Sequence, residues 1–579
     1  MNPQTRLIVT RWAPFAGIAV TLALLLLIAP TKSPDRTSAF AGIGAGSDVT
    51  TTGATSGVAV TDVTGGTGSS TVEVPGAPGA SLGSSGAGGG GGGSAPTASR
   101  ASAPVPASAA AGVTGEDCTR RDILGGNTEC KPLWSGQNGG ATYKGVSGDS
   151  ITVVYYLGKA NEQVNAILRA GGAGASRAEV IHTIETYFAF FNKHMQTYGR
   201  TLDLVVFEGE ADTGDTAAFR AEAVRIDQEI GAYMVFGAGN TDMIDELARR
   251  GIVCICGAQL PGEFHVERAP FVFGILADGD TTNKHISEYI CKRLGPGGGV
   301  AEYAGPLIHP TIGGRDTPRR FGMSFPANNF GTPNAEDLEA RLNACGIEIV
   351  RKNAYASDIN TAGQQSTTSV QGSIAAKVTT VLCVCDPIAP VFGTQAASQQ
   401  QYYPEWFQTG YLLQDAEFFG RLYDQTQWSH NFGISSLPVP IARSDAAFWK
   451  AYKSEDPDTD PPVGAELIYP ALLVGFSGVE RAGPHLDPAT YRDAMYSIDV
   501  PSTDKHTVAF SYAPDDFGGI DDAREVWWDP SGVHPADGKP GTYRNVNDGK
   551  RYRPGEWPAT KPGVFDPACD AAGSCGAAP

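Results

Sequence analysis

The stretch that decides the fold is Thr379-Thr-Val-Leu-Cys-Val-Cys-Asp-Pro-Ile-Ala-Pro-Val-Phe-Gly393. Val381, Leu382, Cys383, Val384 and Cys385 form a short apolar run without alternation, the pattern of a strand buried on both faces. The run stops at Asp386-Pro387, where Asp suits a helix cap and Pro suits a first turn. Ile388, Val391 and Phe392 then mark the apolar side of that helix. A strand feeding straight into a capped helix places polar groups and free backbone N–H at the strand's carboxyl end. In open α/β sheets ligands bind at that edge.

The same unit recurs upstream. Ile151–Leu157 reads as a strand, followed by a capping box at Ser176-Arg-Ala-Glu179 and a helix carrying Ile181, Ile184, Phe188, Phe191, Met195 and Tyr198, closed by Gly199. Leu202–Phe207 is the second strand. A helix with Phe219, Ala223, Ile226 and Ile230 precedes the third, Tyr233–Phe236. That strand turns through Gly237-Ala-Gly-Asn-Thr241 into a helix ending at Arg249-Arg250-Gly251. Ile252–Cys256 is the fourth. A second array begins near Arg320: strand Phe321–Phe325, a helix from about Asn334 with Leu338 and Leu342, strand Ile347–Val350, and a helix with Val370, Ile374 and Val378. The Thr379–Gly393 unit and the strand Trp406–Gln408 follow. Apolar strands separated by amphipathic helices predict α/β lobes built on parallel sheets with both faces covered. Two such arrays, joined near residues 275–320 and again later, predict a cleft between two lobes.

The flanks are of another kind. Arg6 and Arg11 precede an apolar run from Ala13 to Ala29, about the shortest length that spans a bilayer. Basic residues ahead of such a run place the remainder of the chain outside the cytoplasm. Residues 1–41 therefore read as an uncleaved single-pass anchor, with signal cleavage after Ala39-Phe40-Ala41 and secretion as the alternative. Residues 42–115 are Gly, Ser, Ala, Thr and Pro, a disordered tether with a reach of roughly 45 Å. The folded region is expected over 116–530, with the first lobe mainly 149–295, the second mainly 320–440 and later segments crossing between them. Residues 531–579 read as a Gly/Pro-rich tail.

The chain of 579 residues carries a formal charge of −19. That balance argues against a nucleic-acid partner, which would need Lys and Arg clusters to neutralise phosphates. Ten cysteines suit an oxidising compartment. Cys118 with Cys130, and Cys569 with Cys575, are placed for local disulfides. The pairs Cys254-x-Cys256 and Cys383-x-Cys385 are too divergent within a strand to bond to each other. They are expected to pair elsewhere, with Cys291 and Cys345 as candidate partners, or to stay small core hydrophobes. No metal or cofactor is expected: the nine His are scattered, and the acidic run Glu455–Asp460 has Pro461 where a calcium loop needs Gly. No G-x-S-x-G, H-E-x-x-H or Walker pattern points to an enzyme.

The ordered series of units resembles the type I periplasmic binding proteins, the leucine/isoleucine/valine-binding group that supplies ABC importers. The passages that carry the resemblance are Arg320-Phe-Gly-Met-Ser-Phe325 leading to Asn329-Phe-Gly331, Cys385-Asp-Pro-Ile-Ala-Pro390, and Tyr403-Pro-Glu-Trp-Phe407 before Thr409-Gly-Tyr411. It covers roughly residues 149–530. It implies a hinged two-lobe receptor, without enzymatic activity, that closes on an amino acid or other small polar solute, with an ABC permease as a partner. A membrane-tethered sensor of the same fold is the alternative. By the same resemblance, ligand contacts would come from Leu157 and Gly158 after the first strand, from Gly239, Asn240 and Thr241 after the third, and from Ala258 and Gln259 after the fourth. In the second lobe they would be Phe330, Asp386 and Tyr411. Phe330 stands where the family often has Tyr. Ala258-Gln259-Leu260 replaces the Ser/Thr-rich run of amino-acid binders. Asn240 and Asp386 also read as plain helix caps, and Tyr411 as a packed aromatic.

Overall fold

The computed structural model describes residues 99–100, 134–562 and 565. The expected anchor, nearly all of the tether, and Cys118, Cys130, Cys569 and Cys575 lie outside the described residues. Among those described, no helix is long and apolar enough to cross a membrane.

The first lobe is built on strands β1 (Ser150–Leu157), β2 (Thr201–Glu208), β3 (Met234–Phe236), β4 (Val253–Ile255) and β5 (Val272–Phe273). They lie in the order β2-β1-β3-β4-β5, all parallel, and Ser99–Arg100 pairs antiparallel on the outer edge of β2. Between them run α1 (Glu162–Ala170), α2 (Arg177–His194), α3 (Thr216–Arg225) and α4 (Thr241–Arg249). The capping box read at Ser176 and Glu179 is present. The helix it opens ends at His194, earlier than Gly199, because Met195 turns to extended backbone.

After β5 the chain crosses through residues 274–278 into α5 (Gly279–Glu288) and the second lobe. Here α6 (Gly331–Ala344), α7 (Ala362–Ala375) and α8 (Ala389–Gln399) alternate with β6 (Phe321–Pro326), β7 (Ile349–Tyr355), β8 (Thr380–Cys383), β9 (Glu405–Gln408) and β10 (Asn431–Ser435). Their order is β7-β6-β8-β9-β10, again parallel. The chain then returns to the first lobe, where α9 (Ala447–Glu455), α10 (Ala465–Ala482) and α11 (Pro488–Tyr496) cover the face of the first sheet opposite α3 and α4. A third crossing leads to β11 (Ala523–Val533), β12 (Pro540–Asn545) and β13 (Arg551–Tyr552), which extend the second sheet antiparallel. The expectation of parallel sheets flanked by helices is borne out. The segment read as a tail from residue 531 continues β11 and forms β12 and β13; Pro535 and Gly538 lie in the turn between the first two.

The crossings are bonded to each other. Gly274 N–H donates to Phe517 O at 2.9 Å, Gly519 N–H donates to Leu276 O at 2.9 Å, and Val439 N–H donates to Lys505 O at 2.9 Å.

The cysteine expectation is overturned for both close pairs. Cys254 is bonded to Cys256 and Cys383 to Cys385, while Cys291 is bonded to Cys345. The reason is where the strands stop. β4 ends at Ile255 and β8 at Cys383, so the backbone leaves the pleat between the two sulfurs. The Cα separations fall to 5.3 and 5.0 Å, inside the range a disulfide tolerates.

Candidate functional site

A cavity of about 1030 Å³ opens where the carboxyl ends of β1, β7 and β8 meet. From the first lobe its wall takes the loop after β1, the exposed side of α1 and the start of α2. From the second it takes the end of β7, the loop around Asp386, and the inner sides of α7 and α8.

The β1 loop is fixed by one side chain. Arg177, in the first turn of α2, donates through Nη1 to Gly158 O at 2.8 Å and through Nη2 to Leu157 O at 3.1 Å, while its Nε donates to Glu208 at 2.9 Å. Asn161 caps α1 by accepting from the N–H groups of Gln163 and Val164. The helix so started lays Ile167 and Leu168 against the apolar cluster of the second lobe, and Gln163 donates to Asn360 at 3.3 Å. α1 thus straps one lobe to the other across the cavity mouth.

On the opposite wall Asp386 accepts from the N–H groups of Ile388 (2.9 Å) and Ala389 (3.1 Å), capping the turn that begins three residues ahead of α8. Its second oxygen accepts from the Tyr355 hydroxyl at 2.7 Å. Burial and the Asp386 charge together hold that phenol far above its ordinary pKa, so it remains a hydrogen-bond donor.

The ten residues expected from the sequence therefore divide three ways. Leu157, Gly158 and Asp386 line the cavity. Gln259, Phe330 and Tyr411 lie deep in the join between the lobes. The Gln259 carboxamide donates to Gly410 O at 3.0 Å and accepts from Leu412 N–H, and the Gln259 backbone carbonyl accepts from Asn334 at 3.1 Å. The Tyr411 hydroxyl donates to Asn283 Oδ1 at 2.8 Å, with the Phe330 ring packed edge-on at 5.8 Å. Gly239, Asn240, Thr241 and Ala258 do not line the cavity. Asn240 caps α4 through Asp242 and Met243 N–H, and Ala258 packs beside Leu276, Ala277 and Ile520.

Sequence reasoning missed Tyr355, Arg177 and the α1 strap. β7 was expected to end at Val350, because Arg351-Lys352-Asn353 breaks the apolar run. Those residues belong to an edge strand, whose outer face need not be apolar, and the strand continues to Tyr355. Among the described residues no group of His, Cys, Asp or Glu is arranged to hold a metal.

No protein-family model matches the chain, and no curated protein matches it. Solved structures do. An ABC-transporter substrate-binding protein from Aeropyrum pernix is similar with a TM-score of 0.51 at 10% identity, over 74% of this chain and 99% of that one. A solute-binding protein of an ABC transporter from Rhodopseudomonas palustris BisB5, in complex with 3,4-dihydroxybenzoic acid, is similar with a TM-score of 0.50 at 12% identity, over 72% and 99%. The fold is that of the ABC-transporter solute-binding proteins. A type 1 periplasmic binding protein from Bordetella pertussis Tohama I is also similar, with a TM-score of 0.48 at 14% identity over 69% and 100%.

Proposed function

We propose that this protein is an extracytoplasmic solute-binding receptor of the type I two-lobe kind. It would be held at the membrane by its N-terminal segment, capture a small ligand with a polar head by hinge closure, and deliver it to an ABC-type importer. The observation that carries the reading is a cavity whose walls come from both lobes, at the carboxyl ends of two parallel sheets joined by three bonded crossings. Neither lobe alone can exclude water from such a site, so occupancy and closure are coupled. The proposed ligand contacts are Leu157, Gly158 and Asp386. Gln259 and Tyr411 act one step away, on the closed arrangement of the lobes.

Native mass spectrometry of the purified protein, followed by titration calorimetry with whatever small molecule it carries, tests the reading. Asp386→Asn keeps the cap but weakens the ligand contact, with an expected loss of about five- to a hundredfold in affinity. A protein that retains no small molecule, and whose solution scattering never changes with added solutes, is not such a receptor.

A further inference from the structure

We infer that the ligand carries an apolar body, which seats in a slot between the second sheet and helices α7 and α8. This rests on the reading of the cavity as a ligand site and specifies the chemistry of its occupant.

The cavity does not end at the mouth. Strand register carries it inward along one face of the sheet. Gly322 of β6 pairs with Arg351 of β7 and Val381 of β8, and Val381 pairs with Trp406 of β9. One row nearer the mouth, Ser324 pairs with Asn353 and Cys383. Except for Gly322, every residue of these two rows lines the cavity. A sheet face covered by helices is ordinarily filled with Val, Ile and Leu. Here the floor is lowered at Ser324 and Cys383, while the Val378 side chain fills the space over Gly322. The helices above it are equally spare, with Ser369 and Ser373 on α7 and Ala389 and Gly393 on α8 turned to the same space. Small residues on both sides leave a slot that reaches Trp406.

Apart from Arg351 on the edge strand, the inner end is apolar by arrangement. Trp406 spends its indole N–H on Gln427 at 3.1 Å, and Tyr402 spends its hydroxyl on Val378 O at 2.9 Å. Their polar atoms are satisfied elsewhere, so hydrocarbon is what they offer beside Val370, Val381 and Phe392. At about 1030 Å³ the whole cavity matches the upper end of the range for drug-sized ligands, far more than an amino acid fills. The polar mouth at Asp386, Tyr355 and Asn161 would take the head, and the slot the chain or ring behind it.

Gly393 gives a direct test. A Cβ built there lies 4.0 Å from Trp406 Cη2, ordinary contact, so a side chain fits the helix and projects into the slot. Replacing a helical Gly also favours the helix. The probes are straight-chain carboxylates from propanoate to decanoate, with the matching 1-alkanols, titrated by calorimetry into the purified full chain below micelle-forming concentrations. The wild-type protein should bind about fourfold more tightly per added methylene until the slot is full. Gly393→Leu should flatten the series while melting no lower than wild type, and Gly393→Ala should shorten it only slightly. Ser369→Leu, from the facing helix, repeats the block should Gly393→Leu fail to fold. Affinity independent of chain length in the wild-type protein, or an unchanged dependence in blocked variants that fold, overturns the inference. The two readings separate cleanly. A protein that closes on a short polar solute but ignores chain length loses the slot and keeps the receptor. One that binds decanoate in the slot without any change in scattering keeps the slot and loses capture by closure.

Discussion

Gln259→Ala should open the molecule without unfolding it. Gln259 leaves β4 in the left-handed region, at φ 55°, and is 2% exposed. Its carboxamide bonds to Gly410 O and Leu412 N–H of the second lobe and donates to Thr282 Oγ1 at 3.3 Å. Truncation to Ala removes one donor and one acceptor, leaving the buried Gly410 carbonyl and the part-buried Leu412 N–H of the facing lobe without partners. Each such group costs about 1–3 kcal/mol, so the closed arrangement weakens by at least about 2 kcal/mol. When the lobes part, water satisfies the same two groups and the penalty vanishes. The cost therefore falls on closed relative to open, not on folded relative to unfolded, and shifts that balance by roughly thirtyfold. The backbone geometry contributes nothing to the difference, since Ala and Gln meet the same penalty at positive φ. Small-angle scattering should record a larger radius of gyration for Gln259→Ala, and a urea transition moved by less than about 1 kcal/mol. An unchanged radius together with a transition lowered by the full amount would show that Gln259 stabilises the fold itself, and would refute the latch.

Two further outcomes follow from buried charge. Arg319 and Glu405 are both fully buried and bonded at 2.8 Å, with the Thr380 hydroxyl and the Tyr303 N–H also donating to the carboxylate, so Arg319→Met should lower urea stability by about 3–5 kcal/mol by stranding Glu405. Burial pushes the Asp415 carboxyl up to about 6, against which the Ser435 hydroxyl bond and the Arg524 charge act only in part. Because the folded chain then holds this proton more tightly than the unfolded one, stability should rise by about 3 kcal/mol as pH falls from above 6 to below 4. Asp415→Asn should remove that contribution, and urea titrations of both proteins across the window giving parallel curves would exclude it.

How far the sequence could be read depended on the kind of signal each feature leaves. The strand–cap–helix units at Ser176 and Asp386 were legible because period and capping are local; the Ser176 capping box is present, while Asp386 caps the turn that leads into α8 and the helix itself opens later, at Ala389. The order of units carried the fold, since an unbroken apolar strand has few ways to be covered on both faces. The site was read less well. Gln259 and Tyr411 stand in the loops after β4 and β9 and bond across the join between the lobes, and spacing cannot say whether a polar group there meets a ligand or the opposite lobe. That depends on how closely the lobes approach, a property of two surfaces and of no single segment. Tyr355 was lost because charged residues on an edge strand look like the end of the strand. The slot is the extreme case. Ser324, Cys383, Ser369 and Gly393 are each ordinary in their own elements, and none disturbs a period. A void is missing side-chain volume summed over four elements that only the fold brings together. No one-dimensional pattern registers it, although each residue that makes it was in plain view.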